Sequence, residues 1–223
     1  MNVLVTGAAR GIGAAIVERF SADGWNVHAV DVADGDLTTR EGNRAVVDAA
    51  LERFGGNLDA VVANAGFQHV SSVRDFPEDE WDKLQALLLT SPFLLAKYAW
   101  DALAASGDGR FLVVASVHGL VASPFKAAYV AAKHGVLGLV KVLALEGADV
   151  GISAAALCPA YVRTDIVERQ LADRSLDDLL APQAVKRLLE PAEVAAAAAW
   201  LLGPDGRAVT GTPLVLDLGW TSR

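Results

Sequence analysis

Tyr129 and Lys133 stand four residues apart, and Ser116 precedes the tyrosine by thirteen. A spacing of four puts two side chains on one face of a helix. A phenol has an ordinary pKa of ~10. An ammonium one turn away stabilises the phenolate and lowers that value. The pair is therefore a candidate acid/base near neutral pH. The Ser116 hydroxyl can hold the carbonyl or alcohol oxygen being transformed. By itself a Tyr–Lys pair is equally a solvated surface arrangement. What raises this one above that reading is a second feature, far upstream.

That feature is TGAARGIG, residues 6–13, directly after the apolar run NVLVT. Gly7, Gly11 and Gly13 permit a tight turn and close approach of a pyrophosphate to backbone. Arg10 and Ile12 lie in the same loop. The helix that follows points free N–H groups at an anion. The spacing differs from the Gly-x-Gly-x-x-Gly fingerprint, and an ordinary strand-to-helix turn is the plain alternative. Asp31 closes the second apolar run, eighteen residues after Gly13. A carboxylate there accepts from a ribose diol and repels a 2′-phosphate, which predicts NAD over NADP. Arg10 is a counter-signal, since it can meet such a phosphate; a plain turn is the other reading of Asp31. Asn64, Ala65 and Gly66 follow the third apolar run. There Asn64 can brace the sheet and Gly66 can let backbone approach a cofactor. Lys133 can also hold nicotinamide ribose hydroxyls.

Elements must position these groups. Apolar runs at 2–6, 26–31, 58–63, 110–115, 152–157 and 213–218 read as strands buried on both faces. Helical segments fall at 12–22, 43–54, 78–106, 127–146 and 191–202. Alternation of this kind predicts an α/β fold, a doubly wound parallel sheet of Rossmann type, in a single domain over 1–223. The polar stretch VADGDLTTREG, 32–42, reads as loop. One edge strand–helix unit is therefore missing, giving six strands with 26–31 at the edge.

Composition limits the partners. The 223 residues are 53% hydrophobic and 21% charged, with formal net charge −8. That argues against a nucleic-acid surface. The single cysteine, Cys158, allows no internal disulfide and fits a reducing compartment. No signal peptide precedes the first strand, and no unbroken apolar run reaches membrane-spanning length. A cytoplasmic protein without membrane or metal partners is expected. Helices 78–106 and 127–146 are apolar nearly all round, more than one sheet face can cover. Pairing with the same helices of other subunits is predicted, as a dimer or homotetramer.

Taken in order, TGAARGIG, NAG, Ser116 and YVAAK resemble the motifs of the short-chain dehydrogenase/reductase family, and the resemblance spans the whole chain. It narrows to the D-3-hydroxybutyrate dehydrogenases on NAGFQHV (64–70), ASVHGLVAS (115–123), KAAYVAAKHGVLG (126–138), CPAYVRT (158–164) and LGWTS (218–222). The resemblance implies reversible oxidation of (R)-3-hydroxybutyrate to acetoacetate with NAD. It implies that Gln68, His118, Lys126 and Gln170 hold the carboxylate. It also implies that Val162 and Thr164 hold the nicotinamide carboxamide, and that residues 165–181 form a lid. Several positions depart from the family pattern. Leu88 stands where an asparagine supports a water relay to the lysine. Ala160 replaces a glycine, where a φ > 0 backbone would be strained. Tyr161 replaces an indole in the substrate pocket. The lid is short, and the adenine side is thinned, with Asp36 and Leu37 able to fill in. Two other readings stay open: a dehydrogenase of a neutral alcohol or sugar, and a dinucleotide-binding protein without turnover.

Overall fold

The apolar runs assemble into one sheet with every strand parallel to its neighbours, in the order β2-β1-β3-β4-β5-β6. The strands are β1 (Asn2–Thr6), β2 (Asn26–Val30), β3 (Ala60–Ala63), β4 (Gly109–Val114), β5 (Ile152–Pro159) and β6 (Pro213–Leu216). The structure is a computed structural model and describes residues 1–172 and 175–222. β3 and β4 are buried along their whole length, as runs covered on both faces must be. β2 lies at the edge, as expected from its sequence. The chain leaves β1 in one direction for β2 and returns in the other for β3. Strand order thus reverses beside β1, and a crevice opens at the carboxyl ends there.

Helices α1 (Gly11–Ala22) and α8 (Pro191–Leu202) cover one face, where Ile16, Phe20, Val194 and Ala198 meet Val3, Val5 and Leu112. Helices α2 (Arg40–Arg53), α4 (Ser91–Ala105) and α5 (Ala127–Gly147) cover the other, where Val47, Leu95 and Val140 meet Leu4, Val61 and Phe111.

Several boundaries differ from the sequence reading, each for a physical reason. α2 begins at Arg40, inside the stretch read as loop, because the Thr39 hydroxyl accepts the Gly42 N–H at 3.0 Å and caps it. β5 runs on to Pro159 because β6 lies alongside it to that point. β6 stops at Leu216 because the Asp217 carboxylate gathers the N–H groups of Gly219 and Thr221 into a turn. The long helix is not continuous. It runs as α3 (Glu78–Gln85), then a π-helical turn Ala86–Thr90, then α4. Pro92 explains the break: it has no N–H for the carbonyl four residues back, and its ring crowds that carbonyl.

The shortened segment after β2 is a built wall. Leu37 is buried in the core, and buried Asn43 donates to the Leu37 carbonyl at 2.8 Å. Ser91 on α4 donates to Asn43 Oδ1 at 2.6 Å. One asparagine thus ties the loop, α2 and α4 together.

Lys133, Lys141, Glu146 and Asp149 interrupt the most apolar helical stretch, so no apolar run there is unbroken. The helical stretch Ala127–Val150 is long and apolar enough to span by length and composition. It is nevertheless a core helix, since Ala132, Val136 and Val140 are fully buried within the fold. Its outer face leaves Val142 and Leu145 exposed, and Phe93 is exposed on α4.

Candidate active site

The crevice beside β1 has a volume of about 520 Å³. It gathers residues from the first loop, the C-terminal ends of β3, β4 and β5, and α5. Gly7 takes a left-handed φ of +64°, and a Cβ there would lie 2.7 Å from Ala65 Cα. A Cβ on Gly13 would lie 2.0 Å from the Gly7 carbonyl oxygen. The glycines therefore let the loop fold flat against α1 and the Asn64 turn. Arg10, at the N-cap of α1, makes no side-chain cap, so the first helical N–H groups are left to a ligand. A side chain at Gly7 or Gly13 would collide with the packed loop itself, and the loop they permit, beside the uncapped N–H groups of α1, fits a dinucleotide pyrophosphate.

Around this cradle the expected braces are in place. Asn64 Nδ2 donates to the Thr6 and Gly7 carbonyls, each at 3.0 Å. Asp31 lines the crevice, where its carboxylate accepts the Ala9 N–H at 2.9 Å and the Val32 N–H at 2.8 Å. Arg10 turns away from that carboxylate and pairs with Asp165 at 2.7 Å. Asp36, Leu37 and Thr38 line the same end of the crevice, as the thinned adenine side requires. Ile12, Ala65, Val162 and Thr164 are also on its wall. Gly66 lines it too, but a Cβ there would meet Leu88 Cδ2 at 2.9 Å. Its smallness makes room for that leucine.

Ser116 follows β4 and opens a short 3-10 turn, Val117–Gly119. Ser116 and Tyr129 line the same crevice, and the serine hydroxyl draws the phenol's pKa down. Lys133 is buried one turn below, with Nζ 5.6 Å from the Tyr129 ring centre and donating to the Val114 carbonyl at 2.8 Å. The three residues converge as their spacing implied. The expected acidification of the phenol does not follow. Burial pushes Tyr129 up to about 12, against the pull of the Ser116 hydroxyl. Burial likewise brings Lys133 down to about 8. Each charged form has lost its water, and desolvation is the largest influence on both groups.

The four residues implied for carboxylate binding all line this crevice. Gln170 Nε2 donates to Gln68 Oε1 at 2.9 Å, and Lys126 Nζ donates to Gln170 Oε1 at 3.4 Å. Lys126 is buried and sits 5.3 Å from the Tyr161 ring centre. His118 is buried, its ring edge-on to Tyr129 at 6.0 Å. Burial first, then the Lys126 charge, brings the imidazole down to about 3.

Ala160 is not strained. Among the described residues only Phe125 and Leu218 are non-glycine residues with positive φ. The segment expected as a lid holds two short helices, α6 (Asp165–Leu171) and α7 (Leu176–Leu180); its residues 173 and 174 lie outside the described residues. Sequence reasoning assigned no role to Trp220, whose ring lies 5.2 Å from Tyr161 and 5.4 Å from His118. The C-terminal LGWTS was its only signal.

The comparisons agree with this geometry. A family model described as enoyl-(acyl carrier protein) reductase matches residues 7–221. The D-beta-hydroxybutyrate dehydrogenase of Rhizobium meliloti (strain 1021) is 35% identical over 256 aligned positions, covering 100% of this chain and 99% of the relative. The enzyme of the same name from Cupriavidus necator is 35% identical, covering 100% and 98%. Glucose 1-dehydrogenase 2 of Bacillus subtilis (strain 168) is 32% identical, covering 99% and 94%. An alignment of 256 positions against 223 residues fits a chain shortened within. This chain is therefore an oxidoreductase that belongs to the short-chain dehydrogenase/reductase family, whose dehydrogenases act on hydroxyl groups with nicotinamide cofactors.

Proposed function

We propose that the protein is an NAD-dependent dehydrogenase of a small 3-hydroxy acid, (R)-3-hydroxybutyrate being the best fit. The observation that carries this reading is the bonded set Lys126–Gln170–Gln68 within the crevice that holds Tyr129. A buried ammonium with two amides beside it suits a small carboxylate. The two D-beta-hydroxybutyrate dehydrogenase relatives support the same substrate.

Asp31 would favour a free ribose diol and repel a 2′-phosphate, and Arg10 is occupied by Asp165. A bound nicotinamide would supply the hydride-accepting carbon and, when oxidised, a positive charge that favours the phenolate. Ser116 holds the reacting oxygen. The hydroxyl proton passes to Tyr129 Oη in oxidation and returns from it in reduction. Lys133, an ammonium below its pKa of about 8, fixes the floor of the site and stabilises the phenolate when it forms. The subunit would act in the cytoplasm, as a homo-oligomer joined through the exposed faces of α4 and α5.

The second reading, a neutral alcohol or sugar, draws on the glucose 1-dehydrogenase 2 relative and on Tyr161 in place of an indole. Family membership sets aside the binding protein without turnover. Lys126→Ala separates the two enzymes. For a hydroxy acid, KM should rise by about tenfold or more, the worth of one charged hydrogen bond. An unchanged KM for the acid would support the neutral substrate.

A further inference from the structure

Phe125 has a φ of +67° and immediately precedes Lys126, whose ammonium lines the crevice. A bulky L-residue in the left-handed region is an outlier, because its Cβ crowds the following carbonyl. The ring does not account for this conformation: it is 57% exposed and stands off the crevice wall. A backbone tie does. The Ser71 N–H donates to the Phe125 carbonyl at 2.9 Å, and Ser71 pairs with Lys126 as an isolated parallel bridge. On the other side, the Lys126 carbonyl accepts the Val130 N–H at 2.9 Å and opens the first turn of α5. The chain must therefore swing from bridge to helix within two residues. Ser71 stands three residues after Gln68. The bridge thus joins the loop carrying Gln68 to the segment carrying Lys126, the same two segments that the Gln170 side chain touches.

We propose that Phe125 is a positioning residue that acts through its backbone: its left-handed turn, pinned by the Ser71 N–H, delivers the Lys126 ammonium to the crevice. In the right-handed or extended regions, residue 125 would send the chain on in another direction. Lys126 would then miss Gln170, whose Oε1 its Nζ reaches at 3.4 Å. The cost of the outlier is met within the folded chain, before any substrate arrives, so the ammonium is already placed when a carboxylate enters. The proposal rests on the hydroxy-acid reading, in which Lys126 holds that carboxylate.

The test compares substitutions that differ in backbone preference. Glycine and asparagine tolerate a positive φ, and a β-branched valine resists it. In Phe125→Val the KM for (R)-3-hydroxybutyrate should rise about tenfold or more, the loss of one charged hydrogen bond, with kcat and dinucleotide affinity within about threefold of the parent. Phe125→Gly and Phe125→Asn should retain the binding that valine loses. An unchanged KM in Phe125→Val would overturn the proposal. So would an equal rise in all three variants, which would assign the role to the ring. Urea unfolding reads the backbone without turnover, and does so even if the valine variant fails to fold. Phe125→Gly and Phe125→Ala both delete the ring, so their difference isolates the conformation at residue 125. The glycine variant should have the higher midpoint, reversing the usual order of the two residues. An alanine midpoint equal to or above that of glycine would overturn the proposal. Lys126→Ala separates it from the reading beneath it. A raised KM there, with an unchanged KM in Phe125→Val, defeats the proposal alone. An unchanged KM in Lys126→Ala defeats the hydroxy-acid reading, and the proposal with it.

Discussion

Gly66 and Leu88 are fitted to each other: a Cβ on the glycine would lie 2.9 Å from Leu88 Cδ2. The leucine sits in the π-helical turn, 2% exposed, packed with Leu84, Ala128 and Ala132. A glycine in the turn after β3 and an apolar residue in the helix opposite therefore form one packing unit at the crevice wall. Gly66→Ala should lose about 1–3 kcal/mol of stability through overpacking. Leu88→Ala in the same chain should recover part of that loss. Urea unfolding of the two single variants and the double variant measures the coupling, and strict additivity would show that the contact carries nothing.

Tyr129→Phe should reduce turnover by about two to four orders of magnitude, the usual contribution of a placed acid/base. The ring remains to fill its place, so dinucleotide affinity measured by calorimetry should stay unchanged. Near-normal turnover would remove the phenol from the chemistry.

Burial lowers the pKa of Lys133 to about 8, below its ordinary 10.5, so the unfolded chain binds the proton more tightly between those values. Stability should then rise with pH from about 8 upward, since the unfolded state holds more protons there. Tyr129 works in the opposite sense above its ordinary 10, because burial raises it to about 12 in the folded state. The wild-type urea midpoint should therefore climb between pH 8 and 10 relative to Lys133→Met, which has no such titration. Parallel curves for the two proteins would contradict the burial of a titrating amine.

Leu145 is 79% exposed and Val142 47% exposed on the outer face of α5. Sedimentation at micromolar concentration should show a dimer or tetramer, and Leu145→Asp with Val142→Asp should dissociate it. A monomeric parent protein would reject pairing through these helices.

Much of this was readable in the residues, and the exceptions share a cause. The strand runs and the four-residue spacing of Tyr129 and Lys133 are local patterns, and the fold kept them. Thr39 as a cap and Pro92 as a helix breaker were also local signals, and weighing them would have corrected the start of α2 and the break before α4. The pKa of Tyr129 was not local. It depends on how much water the assembled crevice excludes, which no spacing records. The strain expected at Ala160 presumed that the replaced glycine's backbone would persist; the chain instead keeps φ outside the left-handed region there. The pairing of Arg10 with Asp165 joins positions 155 residues apart, beyond the reach of any motif.

The central claim is tested most directly by following NADH formation from (R)-3-hydroxybutyrate, with the (S) enantiomer measured beside it. Turnover with NAD, and a kcat/KM for the (R) form about 100-fold or more above the (S) form, is the expected result for a site that fixes both carboxylate and hydroxyl. Equal rates for the two enantiomers, or no NADH from the (R) form, would contradict it.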